Sequence, residues 1–174
     1  MNGGQAQVAP EWLTIRAVFH NFAKLPSQRG VCTLSPVLKC HGLEWQIELY
    51  PGGHGKSSED YVYVSLFLKS VSCTDTNKIR AKAKYRVPSA NMSLGGVSSP
   101  FHTYSTQIDG NDDSPSWGLA WGYRDYAKRE AVLNASYKFL VGGSLTVEID
   151  IQVLDKPPLW TPTNTVRSDK CRQC

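Results

Sequence analysis

The sequence predicts an all-β protein, an antiparallel β-sandwich with at most one short helix. Two observations predict it. Apolar residues alternate with a period of two in several runs, and segments rich in Gly, Pro, Ser and Asn separate those runs. Only Tyr126 to Leu133 offers a short helix.

The clearest strand is Leu145 to Leu154, LTVEIDIQVL. Leu145, Val147, Ile149, Ile151 and Val153 fall on one face, with Thr146, Glu148, Asp150 and Gln152 on the other, because successive strand residues point to opposite sides. Leu43 to Tyr50 repeats the pattern and ends in the turn residues Pro51, Gly52 and Gly53. From Tyr61 to Val71 both faces are apolar: Val62, Val64, Leu66 and Leu68 on one, Tyr61, Tyr63 and Phe67 on the other. The first face belongs to a core, and the aromatic one needs a second partner. Further strands are expected at Trp12 to His20, Val31 to Leu38, Ile79 to Val87 and Phe101 to Ile108.

A chain of 174 residues with a net charge of +4 suits one globular domain. Residues 1–9 form a flexible N-terminus, 10–154 the domain, and 155–174 a proline-containing tail or linker without periodicity. The N-terminus lacks an apolar signal region, and no stretch approaches the roughly 18 apolar residues of a membrane span. These features predict a soluble cytoplasmic or nuclear protein with no membrane partner. Cys32, Cys40 and Cys73 lie in strand-like runs and, intracellular thiols being usually reduced, read as small buried or half-buried residues. Cys171 and Cys174 form a C-x-x-C with no second pair in reach, so no metal or cofactor is expected. The sequons at Asn91 and Asn134 matter only in a secretory protein and do not move the assignment.

Several enzyme readings fail on mechanism, and a cysteine protease, which needs a Cys, His and Asn brought together in space, has no local signature here, so no catalytic residue is expected. Gly55, Lys56 and Ser57 end like a phosphate-binding loop, but Tyr50 stands where its first glycine belongs, and strand rather than helix follows. No GxSxG elbow is present, and His20, His41, His54 and His102 show no H-x-x-x-H or H-x-C spacing and read as surface or turn residues. Arg80, Lys82, Lys84 and Arg86 make a basic stripe on one strand face. With no aromatic residues interleaved along that strand face, the stripe reads as a solvated surface, and no nucleic-acid partner is expected.

The ordered pieces EWLTI, GLEWQIELYPGG, YVSLFLKSVSC, KIRAKAKYRV, AWGYRDYAKREAVL and FLVGGSLTVEIDIQV resemble successive strands of a MATH (meprin and TRAF homology) domain over about residues 10 to 154. The likeness is to MATH domains of the speckle-type POZ protein kind, which also carry a BTB domain. It implies an eight-stranded antiparallel sandwich that binds short linear peptide motifs in a shallow groove. The implied role is a substrate adaptor for ubiquitin ligation, its link to a cullin ligase lying outside this sequence. The alternatives are a TRAF-type scaffold or a non-catalytic domain of a deubiquitinase.

By the same resemblance the peptide site comprises Phe67, Trp121, Gly122 and Tyr123, the last three matching the family's W-G-F/Y element, with Arg124 at a basic position. Tyr63 joins them through its strand face, and Phe101 or Tyr104 completes the groove. Trp121 reads equally as an inter-sheet residue, since large aromatics serve cores as well as interfaces. Ala83 replaces a groove phenylalanine, and Leu119 and Ala120 replace a lysine and an aspartate that hold hydroxyl side chains. A serine/threonine-rich ligand therefore does not follow, and a more apolar peptide fits at least as well.

Overall fold

The computed structural model describes residues 10–74, 77–89, 93–105 and 119–155. The expected flexible N-terminus, the tail beyond Asp155 with Cys171 and Cys174, the sequon at Asn91, and residues 106–118 with the end of the strand expected to reach Ile108 lie outside the described residues. In chain order the strands are β1 (Trp12–Phe19), β2 (Thr33–Leu34), β3 (Leu38–Cys40), β4 (Leu43–Tyr50), β5 (Tyr63–Ser70), β6 (Ile79–Pro88), β7 (Ser93–Ser98), β8 (His102–Tyr104), β9 (Ala120–Lys128), β10 (Leu140–Val141) and β11 (Ser144–Asp155). The helix α1 (Arg129–Leu133) follows β9.

Two antiparallel sheets form the sandwich. One runs β1-β11-β6, with β7 and β8 end to end along the far side of β6; the other runs β4-β5-β9, with β2 and β3 end to end along β4. Each sheet thus has four rows, which accounts for the eight expected strands, and β10 adds a two-residue hairpin arm on β11. No described helix is long and apolar enough to cross a membrane.

The inward face of each strand is the face the alternation marks. Ile149 and Ile151 of β11, Ala83 and Tyr85 of β6, and Ile47 and Leu66 of the second sheet are all buried. Trp45 lies at the centre, edge-on to Tyr104 with ring centroids 5.2 Å apart, and its Nε1 donates to the Cys40 carbonyl at 3.2 Å. Burying such a side chain contributes roughly 1.5–3 kcal/mol. Tyr104 is therefore a core residue, not a groove residue. Cys40 and Cys73 are buried and Cys32 half-buried, and none of the three forms a disulfide among the described residues.

Three strands depart from expectation. The run Val31 to Leu38 is broken into β2 and β3, because Pro36 has no N–H for the ladder. Ser35 splices the gap: its N–H donates to Ile47 O at 2.9 Å, and its Oγ accepts from Ile47 N at 2.9 Å. Tyr61 and Val62 are exposed and precede β5, whose pairing with β9 shifts register between Val64 and Leu66. β7 was not expected, since SLGGVS has little strand propensity. Pairing with β6 imposes the strand, with a register shift between Tyr85 and Arg86 at the glycine pair.

The basic stripe points outward as expected, but two aromatic rings from neighbouring segments do interleave with it. The Lys84 ammonium lies 4.2 Å from the Trp12 ring centroid, and Lys82 lies 5.7 Å from that of Phe101. Only the sheet, not the strand alone, brings these rings to the stripe. Arg86 binds Asp150 through both terminal guanidinium nitrogens, Nη1 and Nη2, at 2.8 and 2.9 Å, so part of the stripe is neutralised within the sheet.

Candidate peptide-binding edge

β9 ends its sheet. It pairs with β5 on one side, and among the described residues no strand pairs with its other edge. The register sets Leu68 opposite Trp121, Phe67 opposite Gly122 and Leu66 opposite Tyr123. Residues directly opposite share a face, and Leu66 and Leu68 are core. Trp121 and Tyr123 therefore point inward at the rim of the sandwich, while Gly122 faces outward with Phe67.

Trp121 is half-buried. Its ring stacks on His102 of β8, centroids 4.2 Å apart and planes 11° apart, and its Nε1 donates to the Thr103 carbonyl at 3.2 Å. Its own carbonyl accepts from the Tyr85 hydroxyl at 2.5 Å. Tyr123, also half-buried, meets Tyr85 edge-on at 5.3 Å and lies 6.4 Å from Tyr126. Burial pushes the phenols of Tyr85, Tyr123 and Tyr126 up from an ordinary value at which they are already protonated at neutral pH. The rim is a ledge of three accessible rings, Trp121, Tyr123 and His102, backed by a buried phenol.

Gly122 has no room for a side chain. A Cβ there would overlap Leu66 O and come within 2.6 Å of Phe67 Cα, because the β9 backbone approaches β5 closely. Arg124 follows on the half-buried stretch, and its carbonyl accepts from the hydroxyls of both Ser57 and Ser65. Those two serines fasten the loop after β4 to β9, where Ser65 also accepts from His54 N at 2.8 Å.

Phe67 is placed differently from the sequence expectation. Only 3% exposed, it lies under Tyr50 and His54, with ring centroids 5.7 and 5.3 Å away. These two rings are the second partner that the aromatic face of β5 required, and Phe67 backs the site rather than walling it. His54 reaches the surface there; desolvation first, then the charges of Arg124 and Lys56, hold its pKa below the ordinary 6.5.

The structure does not bring Tyr63 or Phe101 to the ledge. Tyr63 pairs with Lys128 at the other end of β5, edge-on to Tyr61 at 6.2 Å. Phe101 precedes β8 and packs beneath the Lys82 ammonium on the outer face of its sheet, because His102 takes the inward direction. His102 is the residue that sequence reasoning missed. Its role depends on β8 meeting β9 across the sandwich rim, and no spacing within the chain carries that signal. Burial alone holds its pKa below 6.5. Leu119 packs on the core and Ala120 is buried, so the start of β9 is apolar. Among the described residues no group of three or more His, Cys, Asp or Glu could hold a metal ion.

Among solved structures the chain is similar to the TRAF5 of Notothenia coriiceps, at 10% identity and a TM-score of 0.48 over 85% of this chain and 77% of that one. The family model described as "MATH domain" matches residues 17–151, well over half of the sequence. The chain belongs to the MATH domain family, a family of protein-interaction modules.

Proposed function

We propose that this protein recruits partners by holding a short extended segment along the open edge of β9, and that it serves as a substrate adaptor for ubiquitin ligation in the cytoplasm or nucleus. One observation carries the reading: the W-G-Y element lies on a sheet edge that no described strand covers. The Leu119 carbonyl accepts from Ser70 N at 2.8 Å, so alternation turns the main-chain groups of Ala120 and Gly122 away from β5 and toward that edge. An added strand would take its hydrogen bonds there, and alternate side chains would meet Trp121, Tyr123 and His102. Rigid rings give contact area at little entropic cost.

The apolar start of β9 favours a segment with apolar side chains over one rich in serine and threonine. Arg124 adds a preference for an acidic neighbour. The adaptor role rests on the likeness to MATH domains of the speckle-type POZ protein kind, in which a second domain joins the ligase. A groove for a handful of residues buries less than the roughly 1,200 Å² of a standard interface, so micromolar affinity is expected.

A random peptide-display selection on the full chain tests the groove, run beside Trp121→Ala and Tyr123→Ala variants of verified stability. Enrichment of one motif that both variants lose is expected. A folded chain that enriches nothing, or variants that keep the motif, would remove the groove. The adaptor role is tested separately in cells: a partner carrying the motif should be longer-lived when this domain is deleted, and unchanged turnover would sink that role.

A further inference from the structure

At the far end of β9 from Trp121, on the order of 20 Å away at the ~3.3 Å rise of a strand, Tyr61, Val62 and Leu133 enclose a cavity of about 280 Å³ with Lys128, Arg129 and Glu130. The three apolar residues are 50%, 54% and 40% exposed. Single exposed apolar residues are ordinary on a surface, but three converging on one hollow are not. Hydrogen bonds frame the hollow: Arg129 N donates to Val62 O at 2.8 Å, and the Arg129 guanidinium donates to the carbonyls of Pro51 at 2.9 Å and Ala23 at 3.4 Å. These bonds tie the start of α1 to the segments beside it.

The charge at the cavity is lopsided. The Lys128 ammonium stands 3.4 Å from the Tyr61 ring centroid and has no carboxylate partner among the described residues. Arg129 is bound to carbonyls rather than carboxylates, which leaves Glu130 as the only acid among the described residues lining the cavity. The volume falls just short of the roughly 300–1,000 Å³ of small-molecule sites, and it suits one anchoring side chain of a protein partner.

The geometry points to a second protein-binding site, which takes one bulky apolar side chain flanked by a carboxylate from a short segment of a partner. The apolar group fills the space between Val62 and Leu133, and the carboxylate pairs with Lys128. The site is independent of the β9 edge, and either stands without the other.

The test is an NMR titration of the full chain with acetyl-Asp-Phe-Asp-amide, acetyl-Asn-Phe-Asn-amide and acetyl-Asp-Ala-Asp-amide. The first peptide is expected to shift the amides of Val62, Lys128 and Leu133 and to bind about two- to fivefold more tightly than the second, the effect of one exposed ion pair. The third should not bind. Lys128→Gln should equalise the first two, and Leu133→Lys, at an exposed position, should abolish both; amides distant from the cavity verify the fold of each variant. The site is overturned if the first peptide leaves these amides unmoved at millimolar concentration, if its shifts cluster at Trp121 and Tyr123 instead, or if the first two peptides bind equally to the unaltered chain.

Discussion

Gly122 is required by what lies beneath it. Its φ is not in the left-handed region, yet any Cβ would strike Leu66 O and Phe67 Cα. Gly122→Ala must lift β9 from β5, at about 1–3 kcal/mol for overpacking. A lower urea midpoint with an unchanged slope is the expected result. His102 sets a pH dependence at the same rim. Burial lowers its folded pKa below the unfolded 6.5, so the folded state prefers the neutral ring. The stability this represents is present above 6.5 and lost as pH falls from there through the lowered value. His54 shifts the same way and adds to the loss. His102→Phe keeps a ring against Trp121 and removes one titration. Its drop in melting temperature between about pH 8 and about pH 5 should be smaller than that of the unaltered protein.

At the scale of elements, legibility followed burial on one face. β4 and β11 have one core face and one polar face, so alternation placed every inward residue. β7 was illegible because its strand character is lent by β6 rather than by its own glycines and serines. The single strand expected from Val31 to Leu38 failed at Pro36, and the chain repaired it with a side chain. Ser35 Oγ stands in for a ladder acceptor and in turn donates to Pro36 O at 2.8 Å. Ser35→Ala would leave Ile47 N buried without that acceptor, at a cost of about 1–3 kcal/mol. Hydrogen exchange should quicken at Ile47 ahead of the rest of β4, and an unchanged rate there would mean the hydroxyl is not the splice.

The whole molecule makes its candidate site where the two sheets meet. The W-G-Y element was legible in the sequence, but its inward direction and its partners Tyr85 and His102 were not, because they come from the opposite sheet. Tyr85 belongs to β6, is 1% exposed, and donates across the sandwich to Trp121 O. A tyrosine hydroxyl is already protonated through the physiological range, and burial pushes this phenol higher still. The hydroxyl thus links the β9 backbone at Trp121 to the other sheet. Tyr85→Phe retains the ring and deletes only this link. It should cost about 1 kcal/mol in chemical denaturation. If the bond positions the ledge, the same variant should bind a selected peptide several-fold more weakly, with the slowed association or faster release visible in a kinetic binding assay. A variant that loses stability but binds as before would show that Trp121 is held by His102 and Thr103 alone.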